Sequence, residues 1–260
     1  MTEAVTAVRN GPILEIILDR PKANAIDAAT SKALSAKFVE FRDDSALRVA
    51  ILTGAGERFF TAGWDLNAAS DGEEFESDYG PGGFGGFGEI AGLNKPVILA
   101  INGMAVGGGF EMAMAADLVI AAEHAQFFLP ETGVGIIPDV GTIRLPKLLP
   151  HPIAIEVLVA GRRLSSHEAM RWGLVNQVVP GDSLMDAARE MADRIIAGAP
   201  LAVEAIIDLI KRTRHLSVAD GLALMRSGDV ELYEAMLASE DAQEGPLSFI
   251  EKRPPQWKGR

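Results

Sequence analysis

The stretch most able to do chemistry is a carboxylate set just beyond a run of glycines. Residues Pro96 to Asp117 read PVILAINGMAVGGGFEMAMAAD. Val97–Ile101 is an apolar, β-leaning run, a second apolar step ends in Gly107, Gly108 and Gly109, and helix-forming Met and Ala follow. That order predicts a strand, a tight glycine turn and a buried helix. Glycines let a ligand approach the backbone closely, and a helix N-terminus leaves amide N–H groups free to stabilise anionic oxygen. Glu111 falls in the first turn of this helix, among Phe110, Met112 and Met114. A lone glutamate there could be a first-turn charge favoured by the helix dipole. Free N–H groups beside a carboxyl also suit a reaction that develops an oxyanion next to an acid or base.

Nucleotide-binding glycine motifs do not fit this stretch. A P-loop needs Lys and then Ser or Thr after its last glycine, and Gly109 is followed by Phe110 and Glu111. The dinucleotide fingerprint fails here too, and at Gly54–Ala55–Gly56, where Phe59 takes the place of the third glycine.

Composition narrows the classes further. At 260 residues the chain can bury one substantial core with an appendage, or two small domains. Its 48% hydrophobic and 23% charged content are those expected of a soluble globular protein. A net charge of −12 argues against a general nucleic-acid or anionic-membrane surface, so an anionic ligand would need a local basic cluster. With no cysteine there is no disulfide, thiolate nucleophile or thiolate metal site, and the four scattered histidines lack ligand spacing. No metal is expected. Asn102, Glu111 and Asp117 interrupt the most apolar segment, short of the roughly 20 residues a membrane span needs. The N-terminus lacks the basic and apolar regions of an export signal, so a cytoplasmic location is expected.

The elements that must position the site follow from periodicity. Val5–Val8 and Ile13–Leu18 read as a hairpin about Asn10–Gly11. Ala25–Asp27 leads into a helix carrying Leu34, Phe38 and Phe41, and Val49–Thr53 is a short buried strand. Residues 58–66 (RFFTAGWDL) form a second strand and small-residue turn. Ser70 to Gly88 is acidic, then glycine-rich (GPGGFGGFG), as in a flexible surface loop or a mobile lid. Strands are expected at 117–121, 126–129 and 177–179, a Gly/Pro-punctuated loop at 132–138, and helices at 140–148, 153–160 and 166–172. Everything after Leu184 reads as helix, at 184–197, 201–215, 218–237 and 239–252. Leu222, Met225, Leu232 and Met236 form an apolar stripe with no sheet to cover, which suggests packing on another subunit.

Taken together, these stretches resemble the enoyl-CoA hydratase/isomerase (crotonase) superfamily. The likeness runs from Ile13 to Lys258 and rests on LDRPKANA at 18–25, TAGWDL at 61–66, INGMAVGGGFEMAMAAD at 101–117, FFLPETGVGIIPD at 127–139 and EDAQEGPLSFIEKR at 240–253. The resemblance implies an α/β fold, a spiral of repeated β-β-α turns with a C-terminal helical region that builds trimers or hexamers. The core is expected over residues 1–198 and the oligomerisation region over 199–260. It implies an acyl-CoA substrate, with coenzyme A part of that substrate and no separate cofactor, and no partner other than further copies of the chain. The catalytic pair implied is Glu111 and Glu131, with the backbone N–H groups of Trp64 and Gly108 holding the thioester oxygen. Contacts to CoA or substrate are implied at Lys22, Ala23, Ala25, Ala62, Asp65, Leu66, Phe249 and Lys252. Asp65 could equally cap the helix after Leu66, and Asp117 reads as structural. The segment 138–144 is one residue shorter than is usual in the family, which bears on the wall beside Glu131.

Two glutamates favour hydration over double-bond isomerisation or thioester hydrolysis, and both being present argues against a non-catalytic acyl-CoA binder. Within the superfamily, AGWDL, the GPGGF loop and the terminal EKRPPQWKGR resemble members whose acyl chain carries a quaternary ammonium. Such a cation favours aromatic faces, for which Trp64, Phe84, Phe87 and Phe127 are candidates.

Overall fold

The computed structural model describes residues 3–260, which divide into two compact units, one of residues up to 93 and 97–190, the other of residues 94–96 and 191–260. In the first unit, β1 (Val5–Asn10) and β2 (Ile13–Leu18) form an antiparallel hairpin with Asn10 opposite Ile13. Gly11 closes it at φ 57°, a left-handed conformation that glycine adopts without steric cost. Asp27 then caps α1 (Ala28–Asp43), its carboxylate accepting the Thr30 N–H at 2.7 Å, and Leu34, Phe38 and Phe41 bury the inner face.

From there the chain repeats one unit of construction. β3 (Val49–Gly54) is followed by β4 (Phe59–Thr61) and the short α2 (Leu66–Ser70). β5 (Val97–Ile101) and β6 (Met104–Val106) lead into α3 (Gly108–Ala115). β7 (Leu118–Ala122) and β8 (Gln126–Phe128) lead through a 3₁₀ turn (Glu131–Val134) to α4 (Asp139–Leu148) and α5 (His151–Ala160). β9 (Leu164–Ser165), α6 (Ser166–Arg171) and β10 (Gln177–Val179) complete the sheets. In each turn the first strand joins a six-stranded sheet, β1-β2-β3-β5-β7-β10, and the second joins a four-stranded sheet, β4-β6-β8-β9. All pairings are parallel except β1–β2 and β8–β9. The expected α/β spiral of β-β-α turns is the fold observed. β3 and β5 are buried along their whole length, as central parallel strands covered on both faces must be, and so read as continuous apolar runs.

The β3–β4 step between the two sheets is held by side chains of neighbouring turns. Asn102 accepts the Gly54 N–H through Oδ1 at 3.1 Å and donates to the Gly56 carbonyl at 2.7 Å. Asn24 donates to the carbonyls of Ala55, Phe59 and Phe60, and Asp117 accepts the Val97 N–H at 2.8 Å, a structural role.

The stretch 70–88, expected as a flexible surface loop or a mobile lid, packs closely in its glycine-rich part. Gly82, Gly85 and Gly86 are buried, and the N–H groups of Gly82 and Gly85 donate to Ser35 and Ser31 of α1 at 3.2 Å. A Cβ at Gly86 would lie 2.4 Å from Leu34, and one at Gly85 would lie 2.5 Å from Met112. The glycines are there because backbone packs directly on α1 and α3.

The second unit holds the end of α7 (Leu184–Ile196), then α8 (Pro200–Thr213), α9 (Val218–Met225), α10 (Glu231–Ala238) and α11 (Glu240–Glu251). The single helix expected over 218–237 is two helices, separated by a turn in which Gly228 takes φ 84°. The terminal residues are tied down: Asp241 accepts the Lys258 and Gly259 N–H groups at 2.7 and 2.9 Å, and the Trp257 indole donates to the Ala197 carbonyl at 2.7 Å. No helix among the described residues is long and apolar enough to cross a membrane.

Candidate active site

The glycine turn after β6 puts a carboxylate where apolar sequence predicted it. Gly107 caps α3 with φ 55° and ψ −125°, a conformation that side chains disfavour. Glu111 follows in the first turn, half-buried, and its Oε1 accepts the Gly141 N–H from the start of α4 at 2.7 Å. Burial pushes the Glu111 carboxyl up to about 8 against the pull of that N–H, with the nearby charges of Asp139 and Glu131 adding to the rise.

Glu131 reaches the same place from the opposite side. It opens the 3₁₀ turn after β8, is 8% exposed, and stands so close to the turn that a Cβ at Gly107 would lie 2.6 Å from its Oε1. Its Oε2 is buried with no hydrogen-bond partner. Burial also raises this carboxyl above its ordinary range, opposed by its own backbone N–H and reinforced by the Asp139 charge. An unpartnered buried oxygen costs about 1–3 kcal/mol, a cost that a ligand's hydrogen-bond donor removes.

The two N–H groups singled out in the sequence meet where the two small-residue turns touch. Gly63, at φ 79°, comes so close to the second turn that a Cβ on it would lie 2.9 Å from the Gly108 nitrogen. Ile26 bridges this turn through the Gly63 carbonyl and the Asp65 N–H, which leaves the Trp64 N–H outside the pairing. Among the described hydrogen bonds neither the Trp64 nor the Gly108 N–H has a protein acceptor. Gly107, Gly108, Glu111, Glu131 and Trp64 all line one cavity of about 120 Å³, whose other walls include Val134, Ile136 and Ile137. Two carboxyls and two N–H donors therefore share one apolar chamber.

A model of the enoyl-CoA hydratase/isomerase family matches residues 8–260. The chain belongs to the enoyl-CoA hydratase/isomerase family. Curated relatives include the carnitinyl-CoA dehydratase of Salmonella arizonae, 57% identical over 260 residues, and that of Salmonella paratyphi A, 56% identical over 261, each alignment covering both chains completely. Among solved structures, an enoyl-CoA hydratase of Mycobacterium tuberculosis is 37% identical with a TM-score of 0.89, covering 99% of each chain. An enoyl-CoA hydratase of Bacillus anthracis is 34% identical with a TM-score of 0.89, covering 99% of this chain and all of the other.

The remaining residues named from the sequence take varied places. Ala62 and Leu66 line the chamber, Leu66 at 58% exposure. Lys22 is exposed on the loop after β2, with Ala23 and Ala25 half-buried beside it. That loop is fixed to the 61–65 turn by the Ala62 N–H on the Ala23 carbonyl, 2.9 Å, and by the Thr61 hydroxyl on the Asn24 carbonyl, 2.5 Å. Asp65 caps α2 through the Asn67 N–H at 3.0 Å and pairs with Arg20 at 2.6 Å, which together hold its carboxyl below the usual range despite burial. Phe249, 85% exposed, and Lys252, the left-handed cap of α11, lie in the second unit.

Of the four aromatic candidates, Trp64 and Phe84 face the chamber and Phe87 lines a neighbouring cavity. Phe127 does not: it is 1% exposed, packed on Phe110 in the core. Three contributors escaped sequence reasoning. Phase alternation put no mark on Phe75 and Tyr79 in an irregular segment, and Asp139 was passed over as part of a shortened loop. The one signal for Asp139 was its position directly after Pro138, at the start of a helix.

Proposed function

We propose that this protein adds water reversibly to the double bond of an enoyl-CoA thioester, interconverting crotonobetainyl-CoA and carnitinyl-CoA. The observation that carries the reading is the convergence of Glu111 and Glu131 on one apolar chamber beside the Gly108 N–H. Conjugate addition places negative charge on the thioester oxygen, which the Trp64 and Gly108 N–H groups accept, and one such donor is worth about 10²–10³ in rate. In hydration Glu111 takes a proton from the attacking water as oxygen bonds to Cβ, and Glu131 gives a proton to Cα. In dehydration Glu131 takes the Cα proton and Glu111 returns its proton to the departing hydroxyl. Coenzyme A stays attached throughout, and the reading needs no separate cofactor.

The pair therefore works with one proton between its two members. Before dehydration Glu111, pushed up to about 8, holds that proton and Glu131 is the base; hydration starts from the form with the proton on Glu131. Net proton uptake is zero in the overall reaction, so kcat/KM must follow the same pH curve in both directions. The expected curve is a bell: activity falls above about 8, where the pair loses its proton, and falls on the acid side as Glu131 gains a second one. A profile that keeps rising to pH 10 would contradict the one-proton pair.

The substrate follows from the carnitinyl-CoA dehydratases that match the whole chain and from the aromatic, acidic wall beside the chamber. It is tested by kcat/KM across a panel of acyl-CoAs on one preparation. Crotonobetainyl-CoA is expected to exceed crotonyl-CoA by about a hundredfold, because two cation contacts of roughly 0.5–2 kcal/mol act together. Equal or better activity with crotonyl-CoA leaves a general enoyl-CoA hydratase.

We also propose assembly as a trimer or a dimer of trimers. In the second unit Ile206, Ile210, Val218, Leu237, Phe249 and Ile250 are each more than half exposed, an apolar surface of the kind that subunits cover. Light scattering at micromolar concentration is expected to give a multiple of three, and a stable monomer would overturn this.

A further inference from the structure

Beside the acyl chamber lies a second cavity of about 440 Å³, and the two share Phe75, Tyr79, Phe84, Gly108, Glu111 and Asp139. The shared residues line the boundary where the two cavities meet, here called the passage. Trp64 and Phe75 meet edge to face, ring centres 5.5 Å apart at 77°, and Tyr79 and Phe84 do the same at 5.4 Å and 80°. Both pairs are fixed: the Trp64 indole donates to Glu73 at 3.0 Å, and the Tyr79 hydroxyl donates to the Phe75 carbonyl at 3.0 Å. Edge-to-face pairing leaves one ring face of each pair open, which is the face a cation approaches.

Carboxylates predominate among the charges around the passage. Asp139 lines both cavities, and Glu76, Asp78 and Glu89 line the outer one. The cation on that outer wall, Arg144, is turned to the Met114 carbonyl at 2.9 Å. Burial first, and then the charges of Glu73, Asp139 and Glu76, push the Tyr79 hydroxyl up to about 12. Burial opposes a charge of either sign, but the three carboxylates oppose a phenolate and favour a cation at the same place.

Not every carboxylate is available to meet such a cation. Glu73 already accepts the Trp64 indole and the Ala28 N–H, and Asp78 pairs with Lys32 at 2.8 Å. Glu111 and Glu131 carry the protons of the reaction. Asp139 accepts its neighbour Val140 N–H at 2.6 Å, shares a side-chain hydrogen bond with Glu111, and stands within the charge field of both catalytic carboxyls. In the substrate the ammonium nitrogen is four bonds from the thioester carbonyl carbon. An acyl chain whose carbonyl oxygen is on the Gly108 N–H and whose Cβ lies between the glutamates has its nitrogen two bonds beyond Cβ, within reach of the passage that Glu111 also lines.

We propose that the passage walled by Tyr79, Phe84 and Asp139 is the receptor for the quaternary ammonium head of the acyl chain, with Asp139 its specificity-determining carboxylate. This rests on the substrate reading given above. The aromatic faces supply a dry, weakly negative surface for the methyl groups, and Asp139 supplies the full charge.

The test compares crotonobetainyl-CoA with the neutral analogue in which a tert-butyl carbon replaces the ammonium nitrogen. The two have the same shape, so their kcat/KM ratio reads charge alone, and the amount of active enzyme cancels within each preparation. Any effect of Asp139 on Glu111 acts on both substrates and cancels too. Wild type is expected to prefer the ammonium substrate, Asp139→Asn to lower that ratio by at least about tenfold, and Tyr79→Leu to lower it by about two- to thirtyfold. Variants that lose activity on both substrates alike, with the ratio unchanged, overturn the receptor and leave the reaction standing. A wild-type enzyme that turns over the neutral analogue and not the ammonium substrate overturns the substrate reading, and the receptor with it.

Discussion

Replacing Glu111 with Gln is expected to lower kcat by about 10²–10⁴ and at the same time to make the protein more stable. The loss follows because an amide can neither take a proton from water nor give one to a leaving hydroxyl. The gain follows from linkage. The carboxyl titrates near 4.5 when unfolded and near 8 in the folded protein, so folding is helped fully below 4.5 and that help is lost as pH rises toward 8. At pH 7 the shortfall is about 3 kcal/mol, which a glutamine of the same shape does not carry, since its oxygen still accepts the Gly141 N–H. Thermal melts should show Glu111→Gln above wild type by several degrees at pH 7, with the gap closing toward pH 5. Glu131→Gln should lose a similar factor in kcat, and the double variant far less than the product of the two, because both groups act on one transition state. A single variant with near wild-type turnover would remove that residue from the mechanism.

The second large effect is expected at Gly107. Gly11 and Gly107 have nearly the same φ, 57° and 55°, yet a Cβ at Gly11 meets nothing within 4 Å and one at Gly107 lies 2.6 Å from the Glu131 carboxylate. Alanine at either position carries the backbone strain, on the order of 1–3 kcal/mol of stability. Only at Gly107 must a catalytic oxygen also move. Displacements of about 1 Å in a catalytic group cost on the order of a hundredfold, so Gly107→Ala is expected to lose at least that in kcat/KM while Gly11→Ala keeps wild-type turnover. Equal activities for the two variants would mean that the turn does not set the position of Glu131.

How much of this was legible in the sequence depended on whether the signal was local. The β5–β6–α3 stretch was readable because a strand, a glycine turn and a helix leave distinct compositional marks within twenty residues, and Glu111 stood out as the charge among them. Glu131 had no such contrast beside Pro130, and only the family likeness singled it out; the Gly107 turn its carboxyl packs against is far away in sequence. The stretch 70–88 reads as a flexible loop or a lid because glycine marks flexibility and close packing alike, and the contacts with Ser31, Ser35 and Met112 that decide between them are long-range. Phe127 was misread for the same reason, since an aromatic at the end of a strand can face either the core or the ligand, and here it meets Phe110. Helical periodicity runs through Ser227 and Gly228 because the apolar stripe of Leu222, Met225, Leu232 and Met236 continues in phase, and the positive φ of Gly228 marks the break. Asp139 stayed hidden because its meaning depends on two glutamates from other turns of the spiral.

The central claim is that Glu111 and Glu131 add water across the double bond of a thioester-conjugated enoyl chain. It is tested most directly by incubating crotonobetainyl-CoA with the protein in deuterated water and following both the absorbance of the conjugated thioester and the mass of the product. The account predicts loss of the conjugated absorbance with gain of one water and one non-exchanging deuterium at Cα, abolished to within a few per cent in both glutamine variants. Loss of conjugation with no gain of water would mean isomerisation, and an unchanged absorbance with the thioester bound would mean a binding protein; either result would contradict the account.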